Sequence, residues 1–93
     1  MQFKKIYMYI GSNNTTHILE KEKAEAIVGK YFDGFTAFEV VGYWRGNKEK
    51  TLKIEIVAEV DSAVIVRVAK ELKKELEQDS IMVEVLESNA VFI

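Results

Sequence analysis

Phe35-Thr-Ala-Phe-Glu-Val-Val-Gly-Tyr-Trp-Arg-Gly-Asn-Lys-Glu-Lys-Thr-Leu-Lys-Ile-Glu-Ile-Val-Ala-Glu-Val60 is the stretch that decides the fold. Phe35–Trp44 is rich in aromatic and β-branched residues, which suit a pleated, half-buried surface. Arg45-Gly-Asn-Lys48 reads as a hairpin turn, because Gly46 and Asn47 tolerate positive φ. Thr51–Val60 alternates, with Leu52, Ile54, Ile56 and Ala58 on one face and Lys53, Glu55, Val57 and Glu59 on the other. Strands joined this tightly run antiparallel, and the rest of the chain must fit around them.

Towards the start of the chain, Phe3–Ile10 also alternates. Ile6, Met8 and Ile10 point one way, and Lys5, Tyr7 and Tyr9 the other. Gly11-Ser-Asn-Asn-Thr-Thr16 follows as a loop, and Thr15 or Thr16 is suited to cap a helix reaching about Phe32. Ala24, Ile27, Val28 and Tyr31 form that helix's apolar stripe, and Asp33-Gly34 ends it. Beyond the hairpin, Asp61 or Ser62 caps a second helix to about Gln78, with Ile65, Val68, Ala69, Leu72 and Leu76 facing inward. Ser80–Glu87 reads as a fourth strand, with Ile81, Val83 and Val85 inward. Ala90–Ile93 reads as a short extra strand. The order β-α-β-β-α-β belongs to the α+β class and predicts a split β-α-β sandwich as a single domain over 1–93. Right-handed crossovers put strands 1 and 3 in the centre, in the order 4-1-3-2, with both helices on one face.

Composition narrows the function classes. Apolar residues are 48% and charged residues 30% of 93 positions, as in a globular domain. There is no cysteine, which excludes disulfides, thiol nucleophiles and Cys-ligated metal sites. The single histidine excludes any internal two-histidine metal motif, and no metal or cofactor is expected. Lys and Arg number 13 against 15 Asp and Glu, a net charge of −2, which argues against nucleic acid as a partner. Ile6–Ile10 is too short for a signal-peptide core, and no apolar run approaches the roughly 20 residues that span a bilayer. The expected location is the cytoplasm, away from membranes.

One sheet face is left without a helix. Tyr7, Tyr9, Lys53, Glu55, Val57, Met82, Glu84 and Leu86 are expected there, joined by Ala37, Glu39, Val41 and Tyr43 unless a bulge near Gly42 swaps Tyr43 for Trp44. Tyrosine, valine, methionine and leucine among opposite charges suit association. Lys53 with Glu55 or Glu39 makes such a face self-complementary, as a twofold interface between copies requires.

The topology also gathers distant residues at one sheet edge. Asn13, Asn14 and His17, from the first loop, meet Trp44, Arg45 and Lys48 of the hairpin there, near Asp79-Ser80. A helix N-terminus beside Arg45 and Lys48 would hold an anion, with Trp44 as a stacking wall. The structural alternative is that Asn13, Asn14 and the threonines only build a turn and a cap. His17 has no nucleophile, paired carboxylate or metal set around it in the sequence, so the reading leans away from an enzyme.

Ile6-Tyr-Met-Tyr-Ile-Gly-Ser-Asn13 resembles the first-strand motif of RNA-recognition domains, but Thr51-Leu-Lys-Ile-Glu-Ile-Val57 lacks the aromatics those domains need. A second resemblance rests on Phe32-Asp-Gly-Phe-Thr36 and Gly42-Tyr-Trp-Arg-Gly46. These Phe-x-Gly-Phe-Thr and Gly-x-Trp-x-Gly motifs are similar to those of a family of short uncharacterised ferredoxin-like domains from bacterial, archaeal and phage genomes. That resemblance implies the ferredoxin-like fold and no assigned activity. Three readings of function stand: self-association of a non-enzymatic domain through the open face, as a homodimer or other homo-oligomer; small-ligand or anion binding at the edge formed by 11–17 and 43–48; and a virus or mobile-element accessory protein that binds a host protein along the edge strand 35–44.

Overall fold

The computed structural model describes residues 3–93. Its elements are β1 (Phe3–Ile10), α1 (Lys21–Gly29), β2 (Thr36–Trp44), β3 (Asn47–Ala58), α2 (Ser62–Glu75) and β4 (Met82–Ser88). The four strands form one antiparallel sheet in the order β2-β3-β1-β4, which is 4-1-3-2 read from the opposite edge. The fold is therefore the α+β ferredoxin-like sandwich. Both central strands place every second residue under the helices. Ile6, Met8 and Ile10 of β1 and Leu52, Ile54 and Ile56 of β3 are fully buried against Ala24, Ile27 and Val28 of α1 and Ile65, Val68 and Leu72 of α2. Asp61 caps α2 as expected, its Oδ1 accepting from the Ala63 N–H at 2.8 Å.

Helix α1 departs from expectation at both ends. It begins at Lys21, and neither Thr15 nor Thr16 caps it. Asn13 captures the preceding segment instead. Its Oδ1 accepts from the N–H groups of Thr15 and Thr16 at 2.7 and 3.0 Å, closing an Asx-type turn that competes with helix. His17 then takes φ 62°, a left-handed conformation that a helix cannot include. At the far end Lys30 caps the helix, and Tyr31 and Phe32 bond back to the Val28 carbonyl, so Phe32 is buried outside the helix.

The hairpin is a two-residue turn. Arg45 (φ 50°) and Gly46 (φ 79°) lie between the paired residues Trp44 and Asn47, the positive-φ pair that fits the twist of the flanking strands. Asn47 is the first residue of β3 rather than part of the turn. No strand forms over 90–93 among the described residues. That segment leaves β4 and places Phe92 against Phe3, with ring centroids 5.5 Å apart.

Candidate functional site

Directly paired residues of antiparallel strands share a face. The register therefore fixes the uncovered side of the sheet as a set of rows. Phe38–Lys53–Tyr9–Met82 crosses all four strands, followed by Thr36–Glu55–Tyr7–Glu84 and then Val57–Lys5–Leu86. The expected Tyr7, Tyr9, Lys53, Glu55, Val57, Met82, Glu84 and Leu86 are all present there. Strand β2 is the correction. Val41 pairs with Lys50 and Tyr43 with Lys48, on the same side as Leu52, so both sit on the helix side along with Ala37 and Glu39. Phe38, Val40 and Trp44 occupy the open face instead. The pairing is unbroken from Thr36 to Trp44, so no bulge intervenes at Gly42. Gly42 serves close approach: a Cβ there would meet Thr51 Oγ1 at 2.5 Å.

Lys53 is the centre of the face. Its ammonium lies 4.7 Å from the Tyr7 ring centroid, 5.5 Å from Tyr9 and 5.6 Å from Phe38, with Glu55 at 3.9 Å. Three rings and a carboxylate hold the long lysine in one place, so its ordering cost is met before any partner arrives. Lys5 also lies over Tyr7, 5.4 Å from its centroid, and hydrogen bonding to that phenol, ahead of the charges of Tyr7 and Glu55, raises the lysine's pKa from 10.5. Around these groups the apolar surface is bare. Met82 is 61% and Leu86 47% exposed.

The loop edge does converge, and it divides in two. Asn14, Trp44 and Arg45 join Tyr9, Glu49, Asp79 and Met82 around a concavity of about 620 Å³ on the open-face side. Two glycines keep it open, since a Cβ at Gly11 would meet the Glu49 carboxylate at 2.9 Å. The indole of Trp44 is 65% exposed, and the Arg45 guanidinium lies 5.5 Å from its centroid. His17 and Lys48 line a different concavity of about 510 Å³ on the helix side, with Glu39 and Lys50. The strand register separates Lys48 from Trp44, because they stand on opposite faces.

Asn13 belongs to neither concavity. It is buried, and its Nδ2 donates to Glu20 at 2.6 Å and to Glu77 at 3.3 Å. Its Oδ1 is occupied by the turn it builds and its Nδ2 by these two carboxylates. The N-terminus of α1 offers no anion site either: Glu20 stands at its cap and Glu22 in its first turn. Phe38, whose place in the sequence reads as a core position, stands on the open face opposite Lys53 and is 36% exposed, as strand parity alone would place it; Glu49 was not assigned to the loop edge from the sequence.

Among the described residues, no group of three or more His, Cys, Asp or Glu side chains could hold a metal, and no helix is long and apolar enough to cross a membrane. No family model matches the chain, and no curated protein matches it. Solved structures do. The chain is similar to a DUF3240 family protein from Shewanella baltica, at 14% identity and TM-score 0.68, covering 100% of this chain and 98% of that one. It is similar to a phage SAM lyase in the apo state, at 19% identity and TM-score 0.66, covering 90% and 79%. It is also similar to GlnK of B. subtilis, at 22% identity and TM-score 0.63, covering 96% and 87%. At these identities the likeness establishes the fold.

Proposed function

We propose that this domain associates with copies of itself through the open sheet face. The observation that carries this reading is the order of the rows on that face. A twofold axis lying between the first two rows exchanges them. Lys53 then meets Glu55 of the second copy, reciprocally, while Tyr9 faces the Tyr7 ring and Met82 the stem of Glu84. Apolar Phe38, Met82 and Leu86 leave water in the same step. Light scattering at about 100 μM protein tests this, since association is driven by mass action. The expected mass is a multiple of 10.7 kDa that falls to the monomer on Tyr7→Lys. A monomer in both samples overturns the reading.

A second reading is favoured by the Trp44 concavity: it takes a planar heteroaromatic ligand stacked on the indole. Two carboxylates, Glu49 and Asp79, share the lining with one guanidinium, which disfavours a bare anion and suits a base with ring N–H or amino donors. Structures of the phage SAM lyase in complex with S-methyl-5′-thioadenosine and of B. subtilis GlnK in complex with ATP make these two compounds a reasonable first panel. Trp44 is the only tryptophan, so its fluorescence reports the site directly. Quenching that saturates and disappears on Arg45→Ala with Asn14→Ala supports binding. Unchanged fluorescence across purine, pyrimidine and indole ligands counts against it.

A further inference from the structure

A second surface lies away from the open face. Between α2 and the helix side of β4 runs an apolar groove of about 480 Å³, floored by Ile65, Ala69, Ile81 and Val83. Val66 and Val85 stand beside it, 51% and 46% exposed. Strand β4 is a sheet edge, so its outer N–H and C=O groups have no strand partner. Within the same chain, the segment after β4 exposes three consecutive apolar residues, with Val91 77% and Phe92 74% accessible and Ile93 fully so. A bare apolar run of this kind marks a contact surface. Its sequence reads as a strand, yet it has no ladder in its own chain.

We propose that residues 89–93 of one copy add as a strand to the β4 edge of a second copy and fill this groove. Alternation sorts the segment correctly. In an extended chain Glu87, Val91 and Ile93 share one side, and Ala90 and Phe92 the other. The first set faces the groove, and Phe92, leaving its own Phe3, then lies beside the exposed Leu86 of the second copy. Charge selects the direction. Lys70 and Lys73 stand at the groove on the α2 side, and Glu87 arrives on that same side. With Glu87 at Lys73, Val91 lies about 13 Å further along the strand. Val66 lies about 10 Å further along the helix, so the two valines meet. The other edge fits such a segment less well, because the concavity beside β2 on the helix side carries Glu39, Lys48 and Lys50. The contact joins unlike surfaces, so it builds a ring or an open chain of copies.

The absence of native cysteine makes the test clean. Full-length Val91→Cys and Val66→Cys proteins, each checked by circular dichroism, are mixed in equal amounts under mild oxidation. The expected product is a mixed disulfide of about twice 10.7 kDa, absent when Val91→Cys is mixed with Glu22→Cys on α1. Lys73→Glu lowers the yield, and Glu87→Lys on the incoming copy restores it. The crosslink persists in a Lys53→Glu background, which separates this contact from association through the open face. No mixed product above the Glu22→Cys control overturns the proposal. A monomer-sized disulfide in the Val66→Cys/Val91→Cys double variant, meaning that the segment folds onto its own groove, also overturns it.

Discussion

Reversing the charges of Lys53 and Glu55 in separate copies tests the geometry of the open-face dimer, beyond its existence. In the twofold arrangement each Lys53 meets Glu55 of the other copy, so Lys53→Glu puts two carboxylates together at two places. Breaking an interfacial charge pair costs about 2–5 kcal/mol. The lower end applies here, because the wild-type ammonium keeps its own Glu55 at 3.9 Å and both side chains are already about three-quarters covered. Two such contacts make about 4 kcal/mol, which is roughly a thousandfold in Kd. Glu55→Lys alone costs a similar amount through two lysine pairs. Mixing the variants reverses both effects: the Lys53→Glu copy offers two carboxylates and the Glu55→Lys copy two ammonium groups, and every contact is again between opposite charges. Sedimentation equilibrium reads the outcome, with each variant monomeric alone and the equal mixture associated. Thermal melts control for folding, since Lys53→Glu also removes contacts with three rings worth about 0.5–1 kcal/mol each. A mixture that stays monomeric, or a single variant that associates like the wild type, refutes the twofold pairing.

Other predictions concern the frame that carries the site. Asn13→Ala strips two N–H groups of their acceptor and two carboxylates of a donor in a buried position, and urea unfolding at neutral pH is expected to show a loss of about 2–3 kcal/mol. Gly42→Ala drives a methyl group to 2.5 Å from Thr51 Oγ1 and is expected to destabilise by about 1–3 kcal/mol, with Thr51→Ala recovering part of the loss in the double variant. Glu71 accepts from Lys30 and from Tyr31 (2.6 Å), linking the end of α1 to α2. These bonds, Lys30 first, lower its pKa from 4.5. Its stabilising contribution is therefore full above pH 4.5 and fades as pH falls through the lower folded value, so Glu71→Gln flattens the acid side of the urea-midpoint profile. A profile that keeps the wild-type slope below pH 5 contradicts that assignment.

How much was legible follows from the kind of signal each element carries. The alternation in Phe3–Ile10 and Thr51–Val60 survives in the structure because both strands lie at the sheet centre, where one face must be dry. Topology alone brought Asn14, Trp44 and Arg45 to one edge. Helix α1 was legible in its stripe and not in its start, because one buried amide on Asn13 outbid the two threonines for the first backbone donors. Sequence lists Asn13 and Thr15 as equally good turn formers; only the depth of the site, with Glu20 and Glu77 waiting for the amide, separates them. The facing of β2 was legible through parity. With Leu52 inward, any hairpin loop of even length sends Trp44 and Phe38 outward, and only an odd loop or a bulge sends out Val41 and Tyr43. The two-residue Arg45–Gly46 turn is even.

That parity ties the two readings of function together. With Trp44 outward, the indole concavity opens on the same face as the Lys53 row, and Tyr9 and Met82 belong to both. Association through the face therefore places a second copy at the rim of the ligand site. Binding and association then share groups, and any effect of one on the other must be reciprocal. If each of the two sites of the dimer binds ligand about tenfold more tightly than the monomer's site, saturating ligand strengthens dimerisation by about tenfold per site, roughly 2.7 kcal/mol in all. Trp44 fluorescence titrations of the wild type and of Lys53→Glu give the first factor. Sedimentation with and without saturating ligand gives the second. The two must agree in sign and size. A ligand midpoint that is identical in the monomeric variant, together with a mass that does not respond to saturating ligand in the wild type, is inconsistent with a shared rim and would move the ligand to another part of the molecule.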